Sequence, residues 1–217
     1  VSAAQPRIRR YVNRLDRLFS YEAVDTQVVG VAGGRPQFTE ATTGLTVEKA
    51  GMANAITRAL ASTNRRRPIE LIVSTVEPKV TPATYGPVVI IHRGSNRLSL
   101  FDGPTLVRRF GVATGSAQYP TPLGNHSIAT KQMNPWWIPP PDSEWAKDEK
   151  PVPPGPGNPL GTRWMGLTAP LVGIHGTPDA ASIGYSASHG CIRMRGPEAE
   201  WLFEQVDVGT PVLIVPA

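Results

Sequence analysis

From residue 87 to its end, the sequence consists of short apolar or alternating runs separated by glycine and proline. Residues 88–92 form an apolar run, residues 97–101 alternate, and the Gly-Ser-Asn sequence between them is typical of a hairpin turn. Further runs of this kind cover residues 105–114, 127–130, 163–167, 171–175 and 212–215. Only the stretch after Pro197 has the spacing of a helix. We therefore predict a mostly β domain, a small sandwich or barrel with one late helix.

The first 83 residues differ from the rest in charge and in pattern. They contain 12 Lys/Arg against 7 Asp/Glu, whereas residues 84–217 contain ten of each, so the net charge of +5 belongs to the first part. Apolar residues at helical spacing and β-like runs predict a small α+β module here, and the proline-containing segment 77–86 predicts a linker. We expect two domains, residues 1–83 and residues 84–217.

The basic residues of the first domain form two clusters. They are Arg7, Arg9, Arg10, Arg14 and Arg17, followed by Arg65, Arg66 and Arg67. No nucleic-acid-binding motif accompanies them, so we expect no nucleic-acid partner. Two interpretations of these clusters remain open. They are a solvated helix face with a basic turn, or a surface attracted to an anionic partner such as cell wall or lipid headgroups.

The lack of a second cysteine and of a long apolar run excludes several classes of protein. The sequence has a single cysteine, Cys191, which excludes an internal disulfide framework and any four-cysteine metal site. It has no apolar run of the roughly 20 residues that a membrane-spanning helix needs. We expect no cofactor.

Residues 131–160 interrupt the β pattern with nine prolines and with Trp136, Trp137 and Trp145. A loop of this length in a compact domain is usually either functional or disordered. Because tryptophans supply apolar surface that a disordered linker does not need, we predict a lid, with Trp136 and Trp137 over a cleft.

The residues able to do chemistry cluster between Leu171 and Arg195. Cys191 lies two residues after His189 and sixteen after His175. A thiol becomes a nucleophile when a base stands beside it, and histidine suits that proton transfer. The glycines of this segment allow a tight turn, Ser188 to Cys191, that can direct backbone N–H groups at one point, as an oxyanion hole requires. A zinc site formed by His175, His189 and Cys191, or a buried structural cysteine, are the alternatives.

At this point a family resemblance becomes visible. His175-Gly176 and the later Ser188-His189-Gly190-Cys191-Ile192-Arg193 resemble the signature of the L,D-transpeptidase (YkuD-type) catalytic family. The segment 120–126 resembles the family's TPxG turn, and the proline-rich insert is similar to that of many members. The resemblance covers about residues 86–217. Residues 1–83 resemble, more weakly, the peptidoglycan-binding module that often precedes this domain.

The resemblance implies a cell-wall acyltransferase. Cys191 would attack the L,D bond of a donor tetrapeptide stem and release D-Ala through a thioester, with His175 as base and acid. The Gly176 carbonyl would orient the histidine, and backbone N–H groups around His189 and Gly190 would hold the oxyanion. An amine of an acceptor stem would then take the acyl group, giving a 3→3 cross-link.

The same resemblance suggests binding residues, partners and a location. Trp136, Trp137, Ser188, Arg193 and Tyr119 would contact substrate, and carbapenems would acylate the cysteine. An anionic cell-wall polymer is a further possible partner. We expect an extracytoplasmic, wall-associated bacterial protein whose anchor or signal peptide is not part of this sequence. An L,D-carboxypeptidase, an enzyme attaching proteins to the wall, and a catalytically degenerate wall-binding protein are the alternatives.

Overall fold

The computed structural model describes residues 4–62, 68–141 and 143–216, so the second basic cluster, Arg65 to Arg67, lies outside the described residues. The helices are α1 (Gln5–Phe19), α2 (Lys49–Ala61) and α3 (Gly196–Gln205). The strands, in chain order, are β1 (Val28–Ala32), β2 (Arg35–Phe38), β3 (Gly44–Val47), β4 (Val73–Val76), β5 (Pro87–His92), β6 (Arg97–Asp102), β7 (Thr105–Gly111), β8 (Thr114–Gly115), β9 (Gly124–Met133), β10 (Arg163–Leu167), β11 (Gly173–Thr177), β12 (Ser186–Ser188), β13 (Ile192–Arg195) and β14 (Pro211–Val215). No helix among these is long and apolar enough to cross a membrane.

The chain divides into two compact units, the smaller of which comprises Val1–Gln27 and Thr39–Pro82. Here α1 and α2 pack together, and β3 pairs with β4 in an antiparallel sheet. Ile8 and Val12 of α1 are buried because they recur at helical spacing, and they pack with Met52 of α2. The arginines at positions 7, 10, 14 and 17 lie on the opposite, exposed face of α1.

The larger unit contains an eight-stranded sheet in the order β13-β11-β10-β9-β14-β5-β6-β7. Most neighbours are antiparallel, but β14 pairs parallel with β5 and β11 pairs parallel with β13. One face packs against α3 through buried residues such as Met165, Ile192 and Leu202. The prediction of a mostly β catalytic domain with one late helix and a preceding α+β region is confirmed.

A hairpin from the first 83 residues belongs to this larger unit. Strands β1 and β2 turn at Gly33 and Gly34, both with positive φ, and the unit includes Val28–Phe38 together with Ala83–Ala217. Apolar side chains of the hairpin pack on Ile90 and Phe101 on the other face of the sheet. The smaller unit ends at Pro82, and the eleven hairpin residues Val28–Phe38 belong to the larger unit. The division into a domain of residues 1–83 and a domain of residues 84–217 stays a prediction.

The proline-rich segment is ordered around one buried amide. The side-chain NH₂ of Asn158 donates to the carbonyls of Pro135 (2.8 Å), Val152 (3.2 Å) and Pro153 (3.2 Å), and its oxygen accepts the N–H of Leu160 at 2.8 Å. A segment rich in proline has few backbone N–H groups, so its carbonyls have few backbone donors within the segment. Asn158 supplies a side-chain donor for a segment that has little regular secondary structure.

We expect Asn158→Asp to loosen this segment. The substitution keeps an acceptor for Leu160 but removes both donors and places a carboxylate against carbonyl oxygens, at a cost of about 2 to 4 kcal/mol. Amide hydrogen exchange in residues 135–160 should rise while exchange in β5 and β6 stays constant. Asn54→Asp, at an exposed position on α2, is the matched control. Unchanged protection of residues 135–160 would show that the amide is not what orders them.

Candidate active site

The parallel pairing of β11 with β13 brings the histidine and the cysteine together. In its register Ile174 lies beside Ile192 and His175 beside Arg193, and Cys191 immediately precedes β13. Strand pairing thus places His175 and Cys191, sixteen residues apart in sequence, on neighbouring strands or immediately beside them. His175 and Cys191 line the same cavity.

His175 is held as a neutral base. Its Nδ1 lies 2.6 Å from the carbonyl oxygen of Gly176, which can only accept a hydrogen bond, so Nδ1 carries the proton and Nε2 presents a lone pair. Burial lowers the pKa of His175 to about 4, and the charge of Arg193 acts in the same direction against the opposing hydrogen bond to Gly176. The imidazole is therefore uncharged at neutral pH and able to take a proton.

Cys191 is a free, half-buried thiol. Its Sγ lies 3.6 Å from the carbonyl oxygen of Leu171, to which the thiol donates. Burial raises the pKa of the Cys191 thiol, although a backbone hydrogen bond from Gly173 and the charge of Arg193 lower it in part. At neutral pH Cys191 is therefore a thiol, which would need a base to ionise it before it could act as a nucleophile.

The carbonyl that accepts the hydrogen bond from the Cys191 thiol belongs to Leu171, a residue with a strained backbone conformation. Leu171 has φ +59°, a conformation that costs a residue with a Cβ about 1 kcal/mol or more. Its side chain is exposed and lines the cavity. The sequence carries no signal for this conformation, because the position is occupied by leucine rather than glycine.

Two buried hydroxyls fix the turn that carries the cysteine. Ser188 Oγ donates to the Cys191 carbonyl and accepts the Gly190 N–H at 3.1 Å. Thr121 Oγ1 donates to the Gly190 carbonyl at 2.8 Å and accepts the Gly115 N–H at 2.8 Å. The TPxG segment therefore supports the catalytic turn through Thr121, a role that the sequence interpretation did not assign.

The cavity above Cys191 has a volume of about 730 Å³ and aromatic walls. Eight residues singled out from the sequence line it, namely Tyr119, Trp136, Trp137, His175, Ser188, His189, Cys191 and Arg193. Gly176 and Gly190 act through their backbone groups instead. Trp145 also lines the cavity and stacks on His189, a contact that the sequence did not indicate.

Charge in the cavity is sparse. Arg193 NH1 lies 3.7 Å from the carboxylate of Asp179, and about a quarter of the Arg193 side chain is exposed. Among the described residues that line the cavity, Glu144 is the only one with a carboxylate side chain, and it faces Lys147 at 3.5 Å. Among the described residues, no group of three or more His, Cys, Asp or Glu side chains could hold a metal ion.

The end of the lid abuts the peptide that orients His175. Gly161 has φ +63°, and a Cβ at this position would lie 3.1 to 3.4 Å from the backbone atoms of Gly176. A methyl group at position 161 would therefore require the backbone of Gly176 to shift by a few tenths of an ångström. Gly161 is a positioning residue that acts through the Gly176 carbonyl.

We expect Gly161→Ala to displace that carbonyl and lower the rate of Cys191 acylation about tenfold or more, as small misplacements at active sites do. Gly33→Ala is the matched control, since Gly33 has a similar φ of +57° but open space around it. Both substitutions destabilise the protein by about 1 kcal/mol through the positive φ. Equal acylation rates in the two variants would contradict the role of Gly161.

These features place the chain in a defined class. Its fold is similar to that of an Enterococcus faecium L,D-transpeptidase carrying a Cys-to-Ser substitution, with a TM-score of 0.52 at 18% identity over 97% of this chain and 82% of that one. An L,D-transpeptidase in complex with imipenem gives a TM-score of 0.50 at 15% identity, over 94% of this chain and 85% of that one. The fold is that of the L,D-transpeptidases.

Sequence comparison identifies the family. YqjB of Bacillus subtilis, named as an L,D-transpeptidase, is 35% identical over 153 residues, which cover 67% of this chain and 81% of that protein. The profile of the YkuD family, described as the L,D-transpeptidase catalytic domain, matches residues 86–214. The chain belongs to the YkuD family of L,D-transpeptidase catalytic domains, which confirms the family prediction. The resemblance of residues 1–83 to a peptidoglycan-binding module stays a prediction.

Proposed function

We propose that this protein is a peptidoglycan L,D-transpeptidase that works through a Cys191 thioester. The observation that carries the proposal is the tautomer of His175. Its Nδ1–H is committed to the Gly176 carbonyl, which leaves the Nε2 lone pair free to act as a base in the mostly apolar cavity that Cys191 also lines. Family membership supplies the transpeptidase activity, and this pair supplies its chemistry.

In the first half-reaction, His175 Nε2 takes the thiol proton while Sγ attacks the carbonyl carbon of the L,D bond in a donor tetrapeptide. Backbone N–H groups at His189 and Cys191 hold the oxyanion, since the Gly190 N–H already donates to Ser188. The imidazolium then protonates the departing D-Ala nitrogen. The C–N bond breaks and the acyl group remains on sulfur as a thioester.

In the second half-reaction, neutral His175 deprotonates an amine of the acceptor stem as it attacks the thioester carbonyl. The C–S bond breaks, the leaving thiolate regains its proton from the imidazolium, and the product is a 3→3 cross-link. A second cavity of about 600 Å³ adjoins the first across Tyr119, Leu171 and His189, and we assign the acceptor to it.

The apolar lid favours amine transfer over hydrolysis. Water competes with the acceptor for the thioester, and closure of an apolar flap keeps it out. The tryptophans and prolines that line the cavity fit this task. An L,D-carboxypeptidase would use the same thiol with water as acceptor. Its product would be a free tripeptide, whereas a transpeptidase would give a cross-linked dimer.

Arg193 is our candidate for recognising a stem carboxylate. Its guanidinium can bind a carboxylate through two hydrogen bonds, and it reaches the cavity. In the free protein it faces the exposed carboxylate of Asp179. We propose that a substrate carboxylate competes with Asp179 for this contact.

The same chemistry would make Cys191 a target for acylation by carbapenems. A related L,D-transpeptidase has been solved with imipenem. We propose that Cys191 opens the β-lactam ring of a carbapenem in the manner of its attack on the L,D bond. The extracytoplasmic location and the contact of residues 1–83 with an anionic wall polymer stay predictions, the latter supported by the arginine face of α1.

The test is mass spectrometry of the protein mixed with defined tetrapeptide stems. We expect an acyl-tripeptide adduct on Cys191, release of D-Ala, and a 3→3 dimer when an amine acceptor is added. Accumulation of free tripeptide despite abundant acceptor would indicate the carboxypeptidase. Absence of any adduct or product with every stem tested would favour a degenerate wall-binding protein.

A further inference from the structure

The lid contacts the catalytic turn through a stack of rings. The rings of Trp145 and His189 lie 4.0 Å apart between centroids and only 9° from parallel. On the catalytic side, Tyr119 meets the same histidine ring at 4.9 Å with a tilt of 54°. The imidazole is therefore in contact with a lid residue and with a residue of the domain below.

This stack joins two separate parts of the molecule. Trp145 lies in a short 3-10 turn, Glu144–Ala146, which is anchored by the buried side chain of Ala146. His189 lies two residues before the nucleophile Cys191. Among the described residues, the His189 ring makes ring contacts and no hydrogen bond, so its role in the free protein is that of a flat surface rather than of a proton carrier.

We infer that Trp145 and His189 form a latch, defined by this ring pair, that holds the lid closed over Cys191. The inference rests on the proposed thioester chemistry and adds what controls the fate of the thioester. While the latch is closed, the acyl group is shielded from water. The side chains of both are positioning groups, because the two rings act on the lid, whereas the oxyanion is held by the His189 backbone N–H, which no side-chain substitution removes.

If the latch exists, breaking it should change how the thioester divides between hydrolysis and amine transfer, and should not prevent the thioester from forming. In Trp145→Ala the thioester should still form, but the ratio of hydrolysis to amine transfer should rise about tenfold. His189→Phe keeps a flat ring and should retain the wild-type ratio, whereas His189→Ala should match Trp145→Ala. The double variant should be no worse than either single one, because both remove the same contact.

A second measurement is independent of any substrate. Cys191 is the only thiol in the chain, so alkylation reports on it alone. Trp145→Ala should speed its reaction with a bulky maleimide more than its reaction with iodoacetamide, because the lid blocks large reagents most. Ile138→Ala, which trims another apolar lid side chain lining the cavity but has no ring to stack, should leave the maleimide-to-iodoacetamide ratio as in the wild type.

The outcomes separate the latch from the proposed function. If thioester forms in all variants but partition and alkylation ratios are unchanged in Trp145→Ala, the latch is wrong and the proposed function stands. If no thioester forms even in the wild type while Trp145→Ala still opens Cys191 to the maleimide, the latch holds the lid and the proposed function is wrong. A His189→Ala protein with the wild-type ratio of hydrolysis to amine transfer would also contradict the latch.

Discussion

We expect Cys191→Ala to leave no covalent adduct with any tetrapeptide stem or carbapenem, and cross-linking to fall to the level of a reaction without protein. The chain contains no second thiol that could take over, so the loss is complete rather than partial. Cys191→Ser keeps nearly the size of the side chain, and we expect it to form no detectable ester adduct, because a hydroxyl is far harder to ionise than a thiol. Intact-protein mass spectrometry measures both.

Folding of these variants is the necessary control. Cys191 is half-buried and its side chain is small, so we expect the free energy of unfolding to change by about 1 kcal/mol or less. Urea denaturation of the wild type and of both variants provides that comparison. An adduct that persists in a folded Cys191→Ala protein would refute the assignment of the nucleophile.

His175→Gln has the second largest expected effect, a loss of about a thousandfold in acylation rate at neutral pH, as for removal of a general base. Glutamine can still donate to the Gly176 carbonyl but offers no basic nitrogen. The thiol pKa is raised by burial, so little thiolate forms without the histidine. Stopped-flow acylation by a carbapenem, followed by its loss of absorbance, measures the rate.

The pH dependence of this variant gives a sharper result than the rate alone. Without a base, the acylation rate should rise about tenfold per pH unit until the pH reaches the thiol pKa. The wild type should stay active well below neutral pH and lose activity only as His175 protonates, near its pKa of about 4. Parallel pH profiles for the two proteins would contradict the role of His175 as base.

The same residue links stability to pH. The folded pKa of His175, about 4, lies below the value of 6.5 for an exposed histidine, so between these values the unfolded chain binds a proton that the folded protein does not. Stability is therefore lost as the pH falls from about 6.5 to 4, by up to about 3 kcal/mol from this group. Glutamine does not titrate, so this contribution disappears in His175→Gln.

Local patterns were enough to predict much of the fold. The hairpin of β5 and β6 follows from an apolar run, a Gly-containing turn and an alternating run, and α3 follows from Pro197 and the spacing after it. The parallel pairing of β14 with β5 could not be predicted in this way, because it joins residues that are distant in sequence. Nor does β1 carry a signal that it packs on the later sheet, since any apolar β surface would satisfy it.

In the site, residue chemistry could be predicted and residue contacts could not. Cysteine, histidine and glycine in one short segment predict a nucleophile, a base and a turn. Which tryptophan meets the turn depends on the path of a loop without regular periodicity, so the sequence predicts Trp136 and Trp137 over the cleft and gives no role to Trp145, the one that stacks on His189. The strain at Leu171 is likewise imposed by its surroundings and not by its residue type.

The hairpin of β1 and β2 affects how the chain can fold during synthesis. It leaves the ribosome before β5, β6 and β14, the strands whose side chains cover its apolar face. The apolar side chains of the hairpin therefore stay uncovered while residues 39–82 and then these strands are made. The larger unit cannot complete its sheet until β14, near the end of the sequence, pairs with β5, and pairing between strands so distant in sequence slows folding.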